Sequence, residues 1–170
     1  MQLLQLDMLC ELDKLCRRHG IIYAISFGTL LGAIRHKGYI PWDDDADVVM
    51  IRSEYERFRI VANELPKTIC WFQDHYTDHD YRWEYGKLRR TGTRFVRLGQ
   101  EHVKGETGVF IDIFPLDDIP DFLPFQIVQD AWLFFLRKIL YSEARQYLLP
   151  ACNTVPHKPI PVQRPALVYG

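Results

Sequence analysis

The sequence has no apolar run that could cross a bilayer: its longest, residues 131–136, is six residues long, where about 20 are needed. The first 18 residues interleave Asp7, Glu11, Asp13, Lys14, Arg17 and Arg18 with leucines, which a signal-peptide core does not tolerate. A cytoplasmic protein is the expectation, with a peripheral contact at the membrane surface left open. Cysteine is sparse. Cys10, Cys16, Cys70 and Cys152 form no CxxC pair and stand at no zinc-finger spacing to a histidine, so neither a structural zinc nor a disulfide framework is expected. An excess of one charge is lacking as well. A formal net charge of -1 leaves no broad basic surface to release counterions from a duplex, and no nucleic acid partner is expected. There is no internal repeat.

What the chain does have is a core. With 170 residues, 48% apolar and 14% aromatic, it can build one packed domain but is short for two. Leu4, Met8, Leu12 and Leu15 recur at helical spacing before a stop at His19-Gly20, which predicts an amphipathic first helix. Residues 21–25 read as a short strand, and Ser26-Phe27-Gly28-Thr29 opens a second helix to about His36. Val48-Val49-Met50-Ile51 is the best strand. Ser53 and Glu56 have capping-box spacing, which predicts a helix to about Leu65. Further strands are expected at 69–73, 93–98 and 108–114, the last stopped by Pro115, with the polar aromatic stretch before residue 93 unassigned. A final helix is expected within 121–148, starting near Pro124. Five of the ten prolines fall between Pro150 and Pro165, so residues 1–149 are read as a catalytic domain and 150–170 as an irregular tail.

The most informative segment is Asp43-Asp44-Asp45-Ala46-Asp47. Carboxylates this crowded repel one another unless cations compensate them. On an extended backbone Asp45 and Asp47 share a face, roughly 7 Å apart, and can converge on one hard cation such as Mg²⁺ or Mn²⁺. The plain alternative is a solvated acidic turn. Asp112 sits inside the apolar strand 108–114, where an uncompensated charge is costly to bury. It needs either a metal shared with Asp45 and Asp47 or an ion pair with an arginine such as Arg89 or Arg94. Gly28-Thr29-Leu30-Leu31-Gly32 follows a strand and opens a helix. That arrangement lets phosphate approach free backbone N–H groups, or is simply a turn. Arg35, His36, Lys87, Arg89 and Arg90 are candidate contacts for donor phosphates, though exposed basic residues are commonly just solvated.

The run from Gly28 through Arg35-His36-Lys37-Gly38-Tyr39-Ile40-Pro41-Trp42 to Asp47 closely resembles the signature of the LicD family, which includes bacterial phosphocholine transferases and is related to fukutin-type ribitol-phosphate transferases. The likeness extends more loosely through Lys87-Leu88-Arg89-Arg90-Thr91 to the segment 108–117. It implies a nucleotidyltransferase-like α/β (α+β) fold, a small mixed sheet flanked by helices. It also implies that Asp45, Asp47 and Asp112 are catalytic and hold Mg²⁺ or Mn²⁺, with Gly28, Thr29, Arg35, His36 and Lys87 binding substrate. Asp43 and Asp44 would lie outside the metal's direct ligands, and Trp42 would anchor its loop by packing. The implied donor is a CDP-linked alcohol such as CDP-choline, and the implied acceptor a sugar hydroxyl on a cell-surface glycan or its lipid-linked precursor. Asp112 is also the candidate acceptor of the hydroxyl proton. The further segment that family members carry, with a Tyr-Gly-Asp-Tyr-like motif, is not visible here.

Three other readings compete. Asp43, Asp45, Asp47 and Glu54 fall at EF-hand spacing, but the position that requires glycine holds Val48. The chain could instead be a catalytically impaired relative acting as a partner subunit, or a transferase of whole nucleotides.

Overall fold

The computed structural model describes residues 1–81, 83–95 and 107–146, with 140–146 as backbone only. Helix α1 (Gln2–His19) buries Gln5, Met8, Leu12, Leu15 and Cys16, the stripe that helical periodicity demands. Gly20 ends it in the left-handed conformation, φ 60°, and returns its N–H to Arg17. Then come β1 (Ala24–Ile25), α2 (Phe27–Arg35), β2 (Asp47–Ile51), α3 (Arg52–Val61) with a short 3₁₀ extension Ala62–Glu64, β3 (Cys70–Gln73), β4 (Gly86–Arg90), β5 (Phe110–Leu116) and α4 (Leu123–Gln146).

The strands form one mixed sheet in the order β1-β2-β5-β4-β3. β2 and β5 are its parallel centre, and the other pairs are antiparallel. Because side chains alternate along a strand, Val48, Met50, Leu88, Ile111 and Ile113 share one face with Met8, Leu12 and Phe58 in the core, against α1 and α3. Each such side chain contributes roughly 1.5–3 kcal/mol on burial. The other face is left to Asp47, Asp112 and Lys87.

Four expectations need correction. Only Ala24 and Ile25 of the 21–25 run join the sheet, because the Ile21 N–H goes to the Cys16 carbonyl and the Ile22 N–H to the Glu54 carboxylate. The capping box does not form: Ile51 is the N-cap of α3 and Ser53 lies inside the helix, where Glu56 instead pairs with Arg59 and Arg52. The strand expected at 93–98 is absent from the described part, residues 93–95; the ladder is made by β4, in the stretch left unassigned. Finally, β5 runs through Pro115 to Leu116. The Asp112 N–H donates to Ala46, beside β2, so by alternation the missing N–H of Pro115 faces the β4 side, beyond the last β4 pair, Gly86 with Ile113. No ladder bond is lost.

Helix α4 begins at Leu123 with Pro124 in its first turn, as expected. Its apolar side chains stay exposed, among them Phe125, Trp132, Phe134 and Phe135. Among the described residues no helix is long and apolar enough to cross a membrane. The 150–170 tail lies outside the described residues.

Candidate functional site

The site is a product of strand register. Asp47, the first residue of β2, stands directly opposite Asp112 on β5, and Asp112 stands opposite Lys87 on β4. One row across the sheet therefore reads carboxylate, carboxylate, ammonium. Asp45, two residues before Asp47, reaches the same side, while Ala46 between them is fully buried in the core. One carboxylate oxygen from each of Asp45, Asp47 and Asp112 lies within 4.8 Å of the other two. That spacing matches what a single oxygen-ligated divalent ion requires. Asp43, Asp44 and Asp45 form a second, overlapping set within the same limit.

Lys87 and Asp112 form a buried ion pair. Each is only 4% exposed. Among the described residues the ion pair of Asp112 is thus with Lys87 rather than with Arg89 or Arg94; Arg89 turns to Gln73 and to the Gly108 carbonyl. Lys87, an expected contact for phosphate, is therefore a buried member of the row. Lying in the row, it offsets one charge of three. The Asp47 carboxyl is pushed up to about 6, first by burial and then by Asp45, Asp112 and Asp43, with Lys87 opposing. Asp43 is also raised, by burial and by Asp45. The burial and carboxylate repulsion that hold Asp47 and Asp43 above the ordinary carboxylate range are what a bound cation would relieve, so the donor set fits a hard divalent metal.

Helix α2 brings its first turn to the row. The Thr29 hydroxyl oxygen accepts the Asp47 backbone N–H at 2.8 Å. That hydroxyl therefore fixes the strand that carries the carboxylates. Gly28 faces Asp43 so closely that an added Cβ would lie 2.6 Å from Asp43 Oδ2. Asp43 is therefore a neighbour of the helix start. The left-handed backbone at this turn belongs to Phe27, φ 46°, and not to glycine. Arg35 and His36 lie exposed at the other end of α2, about 10–12 Å of helix rise from Gly28, and are not brought to the carboxylates. Trp42 does not anchor its loop by burial: it is 82% exposed and touches His36 edge-on. Glu54, the twelfth position of the EF-hand spacing, pairs with Arg57 and the Ile22 N–H on the α3 side, which removes that reading.

Two glutamines were missed. Gln5, 1% exposed, donates to the carbonyls of Asp44 and Phe110 at 2.8 and 3.2 Å. Gln2 donates to those of Ile40 and Asp43, both at 3.0 Å. Together they tie the acidic loop to α1 and β5. A signal existed: Gln5 stands in the stripe of Met8, Leu12 and Leu15, and a polar residue in an apolar stripe needs a buried partner.

The acidic-loop signature and the β5 carboxylate lie inside a region, residues 20–165, that matches the family described as LicD/FKTN/FKRP, nucleotidyltransferase domain. That match runs well past the region near residue 120 where the likeness is legible by eye. The chain is 40% identical over 131 residues to the lipopolysaccharide cholinephosphotransferase LicD of Haemophilus influenzae, covering 71% of this chain and 44% of that protein. It is 38% identical over 59 residues to an uncharacterised protein of Rickettsia typhi, 35% of this chain and 19% of that one. A similar protein of Rickettsia prowazekii is 40% identical over 48 residues, 28% of this chain and 18% of that one. The chain thus spans less than half the length of these relatives. On the breadth of the match and the mixed sheet that carries it, the chain belongs to the LicD family.

Proposed function

We propose that this chain carries the catalytic face of a metal-dependent transferase that moves phosphocholine from a CDP-linked donor to a sugar hydroxyl of a lipopolysaccharide or other cell-surface glycan. The observation that carries this reading is the convergence of Asp45, Asp47 and Asp112 within 4.8 Å. It is supported by the 40% identity to a lipopolysaccharide cholinephosphotransferase.

Asp45, Asp47 and Asp112 would hold Mg²⁺ or Mn²⁺, which supplies charge neutralisation to the donor diphosphate. Lys87 holds the Asp112 side chain in the row. Thr29 fixes the start of β2, so that the α2 N-terminus, with its unsatisfied N–H groups, keeps a constant position relative to the carboxylates. In the transfer, the acceptor oxygen bonds to the phosphorus that carries choline. The diphosphate P–O bond breaks, CMP leaves with the electron pair, and the hydroxyl proton passes to Asp112. Fixed groups of this kind gain rate through orientation.

The test is incubation of the full chain with CDP-choline, a lipopolysaccharide or lipid-linked glycan acceptor, and Mg²⁺ or Mn²⁺. The expected outcome is CMP together with choline-bearing glycan, abolished by EDTA and reduced at least ~100-fold by Asp47→Asn or Asp112→Asn. Full turnover by Asp112→Asn would remove the proton-transfer role. Pyrophosphate in place of CMP would instead mark nucleotidyl transfer.

A further inference from the structure

Next to the carboxylate row lies a second row, and it is aromatic. Phe114 follows Asp112 by two residues on β5, on the same face and about 6.5 Å further along the strand. Its ring centroid is 4.5 Å from that of Tyr85, which immediately precedes β4, and 5.6 Å from that of Phe27, which starts α2. Tyr85 in turn stacks with Trp83 at 6.3 Å and 27°. Four rings from three separate segments thus form a continuous series beside the site.

These rings are not core. Phe27 is 63% exposed, and Phe114, Tyr85 and Trp83 are only half-buried. Phe27 also has a left-handed backbone, φ 46°, an uncommon conformation for a bulky side chain and one that concentrates at functional sites. Burial does not explain why this turn should present a large ring to solvent. One ring of the series, Tyr85, already has a cation beside it: the Lys87 ammonium lies 5.0 Å from its centroid and 3.7 Å from that of Phe110, on the same strand face as Phe114.

We propose that Phe27, Phe114, Tyr85 and Trp83 form the subsite for the quaternary ammonium of the transferred group. Aromatic faces bind alkylated ammonium through the ring quadrupole without the hydrogen bonds that a primary amine demands. This inference rests on the phosphocholine reading above and assigns its specificity.

The experiment is calorimetric titration of the full chain, in Mn²⁺, with phosphocholine and with its uncharged isostere 3,3-dimethylbutyl phosphate. Phosphocholine is expected to bind about ten-fold more tightly. Phe27→Leu and Phe114→Leu keep apolar bulk but remove the ring, and each is expected to bring the ratio below about three. Because Phe27 is exposed, its variant tests the inference even if Phe114→Leu does not fold. Equal affinity for the two ligands in the unaltered chain, no detectable phosphocholine binding, or a ratio untouched by Phe27→Leu would overturn the subsite. CMP release from CDP-choline is followed on the same preparations. Release without a charge preference removes the aromatic subsite and leaves the transferase standing, whereas a charge preference without release supports the subsite and removes the transferase.

Discussion

The Thr29 hydroxyl accepts the backbone N–H of Asp47 at 2.8 Å, joining the first turn of α2 to the first residue of β2. Thr29→Val keeps the shape and leaves that N–H without its acceptor. The expected loss is about 1–3 kcal/mol, read as a lower urea midpoint, together with weaker Mn²⁺ binding because the start of β2 is released. Thr29→Ser keeps the oxygen and should retain most of both. If valine and serine behave alike, the bond does not position Asp47.

Gln5 should behave as a structural member of the site although it touches no carboxylate. Gln5→Leu fits the apolar stripe of α1 but strands the carbonyls of Asp44 and Phe110, at a cost of about 1–3 kcal/mol. Greater proteolytic sensitivity in the 40–44 loop, measured beside the denaturation curve, would locate the damage.

Two glycines of α2 should respond differently to alanine. At Gly28 the added Cβ meets the tip of a side chain, Asp43 Oδ2 at 2.6 Å, which can swing away. At Gly32 it meets backbone, the Gly38 carbonyl at 2.6 Å and the Ile40 nitrogen at 3.0 Å. Gly28→Ala is therefore expected to change stability by less than about 1 kcal/mol while altering metal affinity through Asp43. Gly32→Ala should lose about 1–3 kcal/mol by overpacking. Thermal melts and Mn²⁺ titrations of the pair decide it.

The Asp47 carboxyl makes the metal-free protein pH-dependent in a direction opposite to the usual carboxylate. Its native value is raised from 3.8 to about 6, first by burial and then by Asp45, Asp112 and Asp43. Between those values the folded chain holds a proton that the unfolded chain has released. This contribution is present in full below about pH 4 and is lost as the pH rises through 6. In EDTA, the urea midpoint of the unaltered chain should fall relative to that of Asp47→Asn across this window. Added Mn²⁺ should reverse the trend, since ligation requires the deprotonated carboxylate.

Removing Lys87 should do more harm than removing the pair. Lys87→Met leaves the buried Asp112 without its ammonium partner, at an expected cost of about 3–5 kcal/mol. Adding Asp112→Asn to it should recover part of that loss. The double-mutant cycle measures the coupling, and additive effects would show that the pair is not an energetic unit.

Much of this protein was legible from its residues one segment at a time. Helical spacing of Met8, Leu12 and Leu15 announced α1, the β-branched run from Val48 announced β2, and alternation set Asp45 and Asp47 on one side with Ala46 on the other. Those are local rules of period 3.6 and 2, so the sequence determines them by itself. The charge of Asp112 inside an apolar strand likewise announced that something must compensate it. What compensates it did not follow: the choice between an arginine and Lys87 depends on which strand lies beside β5 and in what register. The same holds for β4, whose polar sequence hides a strand, for Pro115, tolerated because β4 ends before it, and for the Thr29 oxygen. Pairing in a sheet joins residues tens of positions apart, and a shift of one residue would send each side chain to the opposite face. Only the tertiary structure, by setting Asp47 against Asp112 and Asp112 against Lys87, decided that separate acidic residues make one site.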